Sequence, residues 1–269
     1  MEDKSFSPRI KRIQSHHNDT FRQLKSLLSG RGIKKAGKTL VFGEKILKEL
    51  ISSRSDVIEA LIVPQSFLNS PHAADPLLLS VARWYVLTQP LFELLDIFNT
   101  RHPFALCVVP EIRPWDISAG LPGKGCSLLL PFQDPENIGS SIRSAVAFGV
   151  NCVVILKEGA NPFHPKAIRA SAGAVFRISL FSGPSINELP ASLPIVALDA
   201  EGRDINNFPF PESFGLLPGI EGPGLPEHWK KRAVRIPTTQ AVESLNGSVA
   251  VAIALYVWSR RSKFSLPEE

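Results

Sequence analysis

Three polar stretches carry the residues that could do chemistry. In the first, Asn137, Gly139 and Arg143 open what reads as an amphipathic helix, directly after Asp134, Pro135 and Glu136. In the second, GLLPGIEGPGLPE (215–227), Gly219, Gly222 and Gly224 surround one acid, Glu221. In the third, residues 235–258, Ser244, Asn246 and Ser248 precede a run that is otherwise almost wholly apolar. The glycines permit positive φ and let a ligand lie against the backbone, while Pro223 and Pro226 stiffen their loop. Amide and hydroxyl side chains orient a bound group by hydrogen bonds, and a guanidinium fork suits a phosphate. Each stretch alone has a plainer explanation: a glycine-rich turn, a capped helix, an arginine on a helix surface.

Composition narrows the chemistry. Neither glycine loop fits the dinucleotide GxGxxG or the phosphate-binding GxxxxGK[ST] pattern, which argues against a nicotinamide enzyme or a nucleotide triphosphatase. The six histidines form no zinc-binding pattern, so no metal is expected. Cys107, Cys126 and Cys152 stand singly in apolar stretches, as reduced, buried thiols of a cytoplasmic protein would. The first dozen residues mix acids and bases without an apolar core, so no secretory leader is expected. No apolar run approaches the roughly 18 residues of a membrane span. Charge is uneven. Residues 1–54 hold 13 Lys or Arg against 5 Asp or Glu, whereas the whole chain carries only +5. A basic N-terminal block favours a polyanionic partner, nucleic acid first. Within it Arg31, Lys34, Lys35 and Lys38 form a cluster suited to phosphate contacts.

The elements that must position these residues fall into two sets. Residues 1–110 read as a small α/β domain, with strands at Leu40–Phe42, IEALIVP, WYVLT and FALCVVP. Helices are expected from an Asn18 cap to about Leu28, at Glu44–Ile51 and along PLFELLDIF. Residues 111–125 are rich in Pro and Gly without sustained period and read as a linker. Residues 126–269 alternate the strands CSLLLPF, CVVILK, FRISLF, PIVALDA, GLLPG and AVRIP with helices at 137–148, 164–171, 185–192, 225–232 and 242–259. Near-continuous apolar strands separated by helices predict an α/β fold with a mostly parallel sheet covered on both faces. Ligands of such sheets gather at the carboxyl ends of the strands, where the three polar stretches lie.

Together and in this order, the stretches resemble the signature motifs of the SpoU (TrmH-like) RNA ribose methyltransferases of the SPOUT class. Asn137, Gly139, Arg143, Phe148 and Gly149 fill the first motif, N-x-G-x-x-x-R-x-x-x-x-F-G. Leu216, Gly219, Glu221, Gly222 and Gly224 fill the second, L-x-x-G-x-E-G-x-G. Ile236, Pro237, Val242–Asn246, Ser248 and Ala250 fill the third. The N-terminal part is similar to the substrate-binding domain that many members carry, related to ribosomal proteins that grip structured RNA.

The resemblance implies a C-terminal trefoil knot, which general rules of chain topology disfavour. It implies S-adenosylmethionine as cofactor, held through largely backbone contacts at Gly219, Gly222, Ile236, Pro237 and Leu245. Thr238-Thr239-Gln240 replaces the commoner Met-x-Gly beside that site. It implies methyl transfer to a ribose 2′-hydroxyl, with Arg143 as proton acceptor or as a fork gripping the adjacent phosphate. Asn137, Ser244 and Asn246 would orient the reactants, and Glu221 would fix Arg143 or its loop. A structured RNA is the implied partner, ribosomal RNA ahead of transfer RNA, and the implied assembly is a homodimer packed through the terminal helix from Val242 to Trp258. A non-catalytic RNA-binding or assembly factor of the same fold is the rival reading.

Overall fold

The computed structural model describes residues 8–239 and 244–261. The chain forms two compact units, one running to Pro110 and including Phe163–Arg169, the other holding Glu111–Pro162 and the chain from Ala170 onward.

The first unit strings together β1 (Arg9–Ile13), α1 (Asp19–Ser26), α2 (Gly30–Ala36), β2 (Lys38–Val41), α3 (Glu44–Ser53), β3 (Ile58–Pro64), α4 (Pro76–Leu79), β4 (Arg83–Leu87), α5 (Gln89–Leu95) and β5 (Phe104–Val108). Its sheet order is β1-β4-β3-β5-β2. The first three strands are parallel, and β5 runs antiparallel to both its neighbours. Capping sets the helices. The Asn18 side chain accepts from the amides of Thr20 and Phe21, which starts α1 and turns Phe21 and Leu24 inward. Ser29 accepts from the Gly32 amide, and Gly37 at φ 62° ends α2 in the left-handed conformation. These two signals were available for a helix that periodicity alone did not reveal. Strand β1 was hidden for another reason. Four of its five side chains are exposed, so RIKRI shows no alternation; backbone pairing along β4, Arg9 with Arg83 through Ile13 with Leu87, makes it a strand.

The second unit is built on β6 (Arg113–Pro114), β7 (Cys126–Leu130), α6 (Pro135–Ala147), β8 (Cys152–Ile155), α7 (Pro165–Ala170), β9 (Ser179–Ser182), β10 (Ile195–Asp204), β11 (Phe214–Pro218), α8 (Glu227–Lys230), β12 (Ala233–Arg235) and α9 (Gly247–Arg261), although most of α7 belongs to the first unit. Seven strands lie in the order β12-β10-β11-β7-β8-β9-β6. Every pairing is parallel. Strands β7 and β8 are buried at every position, as the near-continuous apolar runs predicted. Leu129, Val154, Ala197 and Leu217 pack in one core with Trp115 and Trp229.

Three local expectations need correction. The stretch read as a linker contributes β6 to the sheet edge, and Trp115 is buried, its indole donating to the Gly120 carbonyl at 2.7 Å. One large apolar anchor outweighs the Pro- and Gly-rich composition around it. The helix expected at 185–192 shrinks to a 3₁₀ turn at Ile186–Glu188, closed by a Ser185–Glu188 capping box with Pro190 just beyond. The last helix begins at Gly247, because Asn246 caps it; positions 242 and 243 of the expected helix lie outside the described residues. That helix is apolar all round yet buried on one side only, with Val249 47% and Tyr256 53% exposed.

Candidate functional site

Each of the three polar stretches follows a strand of the parallel sheet. After β7, the Asp134 carboxylate accepts from the Glu136 amide at 2.9 Å and Pro135 opens α6, which fixes the first turn. Asn137 is the third residue of that turn and is half-buried. After β11, Ile220 and Gly224 exchange two backbone hydrogen bonds of 3.0 and 2.8 Å. Between them Glu221 stands at the tip of a tight loop. Gly222 at φ 86° and Gly224 at φ 74° supply the left-handed turns that this closure requires. After β12 the chain returns to Asn246, whose Oδ1 accepts from the Ser248 amide at 2.9 Å, the Ser248 hydroxyl at 2.8 Å and the Val249 amide at 3.3 Å.

These elements bring one residue from each stretch to a single point. Asn246 Nδ2 donates to Asn137 Oδ1 at 3.1 Å, and Asn137 Nδ2 donates to Glu221 Oε1. The Asn137 amide is used on both sides, which fixes its orientation. The expected alternatives for Glu221 were Arg143 or the loop, and the structure gives its carboxylate to Asn137.

The remaining candidates lie around this chain of hydrogen bonds. Arg143 is exposed, about 120° round α6 from Asn137 at 3.6 residues per turn, and makes no hydrogen bond or ion pair with a described residue. Ser244 is exposed and stands outside the chain. Gly219, Ile236 and Leu245 are half-buried, whereas Gly222 and Pro237 are exposed. Of the unusual Thr238-Thr239-Gln240 segment, both threonines are exposed and Gln240 lies outside the described residues, as does Val242 of the third motif. The loop suits a ligand bound by backbone groups. A Cβ at Gly219 would stand 3.0 Å from the Gly224 backbone, while a Cβ at Gly222 or Gly224 would meet nothing within 4 Å. Sequence reasoning missed the capping role of Asn246, although Asn two residues before a Ser at a helix start is the pattern that signals it. Among the described residues, no group of three His, Cys, Asp or Glu could hold a metal ion.

In the first unit, Arg31, Lys34 and Lys35 are exposed at spacings that share one side of α2. Lys38 differs, half-buried with its ammonium 2.5 Å from Glu59. Arg9, Lys11 and Arg12 add three exposed cations on β1.

An all-parallel sheet with polar loops converging beyond its strands defines an α/β protein that takes its ligand at the carboxyl ends of the strands. Comparison with known proteins sharpens this class. The model of the SpoU rRNA Methylase family matches residues 128–256. The 23S rRNA (uridine(2479)-2'-O)-methyltransferase of Streptomyces viridochromogenes is 30% identical over 93% of this chain and 92% of its own. The 23S rRNA (guanosine(2553)-2'-O)-methyltransferase RlmP of Bacillus subtilis is 28% identical over 92% of this chain and 98% of its own. A protein named ribosomal RNA small subunit methyltransferase G 2, from Syntrophobacter fumaroxidans, is 50% identical over 93% of this chain, which spans only 49% of that relative. The crystal structure of the SpoU methyltransferase AviRb from Streptomyces viridochromogenes with its cofactor AdoMet superposes with a TM-score of 0.72 at 27% identity, over 91% of this chain and 98% of its own. The chain belongs to the SpoU rRNA methylase family.

Proposed function

We propose that this protein is an S-adenosylmethionine-dependent RNA ribose 2′-O-methyltransferase acting on ribosomal RNA. The observation that carries the reading is the Asn246–Asn137–Glu221 chain of hydrogen bonds, which draws the three motifs together beside an open, backbone-rich loop. Two of the relatives that this chain matches over nearly their whole length are named as 23S rRNA 2′-O-methyltransferases, which favours the large-subunit RNA. The small-subunit name belongs to a protein twice as long, half of which this chain does not match.

In this reading Gly219, Gly222, Ile236, Pro237 and Leu245 hold the cofactor, which supplies an electrophilic methyl group and needs no metal. Asn137, Asn246 and Ser244 align the ribose hydroxyl with it, and Glu221 braces Asn137. Arg143, exposed and unpaired among the described residues, grips the phosphate next to that ribose with its planar fork. Small polar residues at the start of α6 leave room for the sugar. Residues 1–110 are the RNA-binding domain, with Arg31, Lys34, Lys35 and Lys38 as phosphate contacts, and residues 126–269 are the catalytic domain. The catalytic chain is knotted as in its class, and the protein acts in the cytoplasm, where three buried free thiols stay reduced. Two copies pair through α6 and α9, where Phe148 meets Tyr256 edge-on at 5.9 Å beside exposed Val249. An apolar patch on an isolated chain marks such a contact.

The test is methyl transfer from labelled S-adenosylmethionine to transcribed 23S rRNA, 16S rRNA and transfer RNA, with the product mapped by ribose-methylation sequencing. Label at one ribose of 23S rRNA is the expected result. Label only in transfer RNA would move the substrate, and cofactor binding with no label in any RNA would favour the non-catalytic reading.

A further inference from the structure

The position after Asn246 is occupied by glycine for a reason that lies 115 residues away in the chain. Gly247 is the first residue of α9, and a Cβ built on it would fall 2.6 and 2.7 Å from Cε1 and Cζ of Phe132. That is roughly 0.8 Å inside ordinary van der Waals contact at 3.4 Å. The ring has little freedom to retreat. Phe132 is 0% exposed, and its carbonyl is held by the Ala160 amide at 2.8 Å.

The location of the contact gives it meaning. Phe132 stands two residues before the Asp134 cap of α6 and five before Asn137; Gly247 directly follows Asn246. The ring against the glycine therefore spans the same gap that the Asn246–Asn137 hydrogen bond closes at 3.1 Å. We infer that Phe132 and Gly247 are a matched pair of positioning residues: the ring is the spacer between the first turns of α6 and α9, and it sets the Asn246–Asn137–Glu221 chain without touching a reactant. An added methyl group pushes α9 away from the ring. Even half of the required displacement, carried to Asn246, stretches its bond to Asn137 toward the limit of hydrogen bonding. Neither residue belongs to the motif positions that suggested the site. The inference rests on the methyltransferase reading for its effect on turnover, but not for the spacing itself.

A double-mutant cycle in the full-length protein separates the two. Gly247→Ala, Phe132→Val and the double variant are compared by hydrogen exchange at the Ser248 and Val249 amides, which Asn246 caps, and by kcat for methylation of transcribed 23S rRNA per cofactor-binding site. S-adenosylmethionine affinity and thermal melting are followed alongside. Gly247→Ala is expected to speed exchange at both amides and to lower kcat at least tenfold, with cofactor affinity and RNA KM within threefold of the parent. In the double variant the smaller side chain makes room for the methyl group, and both exchange and kcat recover to at least the level of Phe132→Val. Parental exchange and kcat in Gly247→Ala would overturn the inference. So would a double variant no more active than Gly247→Ala, including the case in which neither folds. Coupled exchange in a parent protein that methylates no RNA would keep the spacing and refute the methyltransferase reading.

Discussion

The two sheets solve different problems, and their candidate residues differ accordingly. In the second unit every strand pairing is parallel, and function is assigned to polar side chains where buried strands end and loops begin. There the sheet fixes positions closely, and one residue from each of three distant stretches meets through hydrogen bonds. In the first unit the sheet is mixed, and the candidates are exposed cations on a short helix and an edge strand. Long cationic side chains on a surface can follow a phosphate backbone without a fixed geometry. In the proposed function the second unit supplies alignment and the first affinity, a division that variants moving one property without the other would break.

The largest effect is expected at Arg143. Both Arg143→Ala and Arg143→Lys should lower single-turnover methylation on the order of a hundredfold or more, because an ammonium keeps the charge but loses the planar fork. Cofactor affinity and melting temperature should hardly change, since the exposed guanidinium has no partner among the described residues. A Lys variant of near-normal turnover would reduce Arg143 to a simple counter-charge.

Asn137→Asp should come next, at tenfold or more in kcat. It sets a carboxylate against the Glu221 carboxylate in place of a donated hydrogen bond. Pairing it with Glu221→Gln should restore part of the loss, because a donor and an acceptor again face each other. Failure of that rescue would show that the Asn137 amide is needed for more than its contact with Glu221.

The first unit should answer in affinity and salt response. Replacing Arg31, Lys34 and Lys35 by Ala together should weaken RNA binding and lower the slope of log K against log salt by about two to three, while kcat at saturating RNA holds. Lys38→Ala should matter less, since Glu59 already engages its ammonium. A fall in kcat with unchanged affinity would reverse the division between the units.

The smallest effect concerns the thiols. Burial pushes the Cys107 thiol up to about 12 and raises Cys126 and Cys152 as well. Their folded values exceed the ordinary value of about 8.5, so the native state holds these protons more tightly than the unfolded chain. That contribution to stability is complete below about pH 8.5 and is lost as pH rises toward the folded values. Melting temperature should therefore fall progressively above pH 8.5, and a thiol reagent at pH 7 should label the protein only after denaturation.

Much of the second unit was legible because its strands are buried on both faces and its motif residues are strongly typed. CSLLLPF and CVVILK could hardly be anything but core strands, and Gly219, Gly222 and Gly224 announced a loop lying close to something. Less was legible in the first unit. Strand β1 has neither alternation nor apolar content, and its identity comes from pairing with β4, a partner more than 70 residues away in sequence. The buried Trp115 escaped for a similar reason: its surroundings in sequence are those of a linker, and its surroundings in space are a core.

The parallel α/β character of the second unit, the basic character of the first, and the residue types available at three strand ends could all be read from the chain before it folds. These follow from period, burial preference and charge, which are local properties of the chain. Tertiary structure alone decided which residues meet. It gave Glu221 to Asn137, joined Asn137 to Asn246, and set Phe132 against Gly247. Those outcomes turn on differences of a few tenths of an ångström in the spacing of segments about a hundred residues apart, and close packing of a folded core is what fixes them.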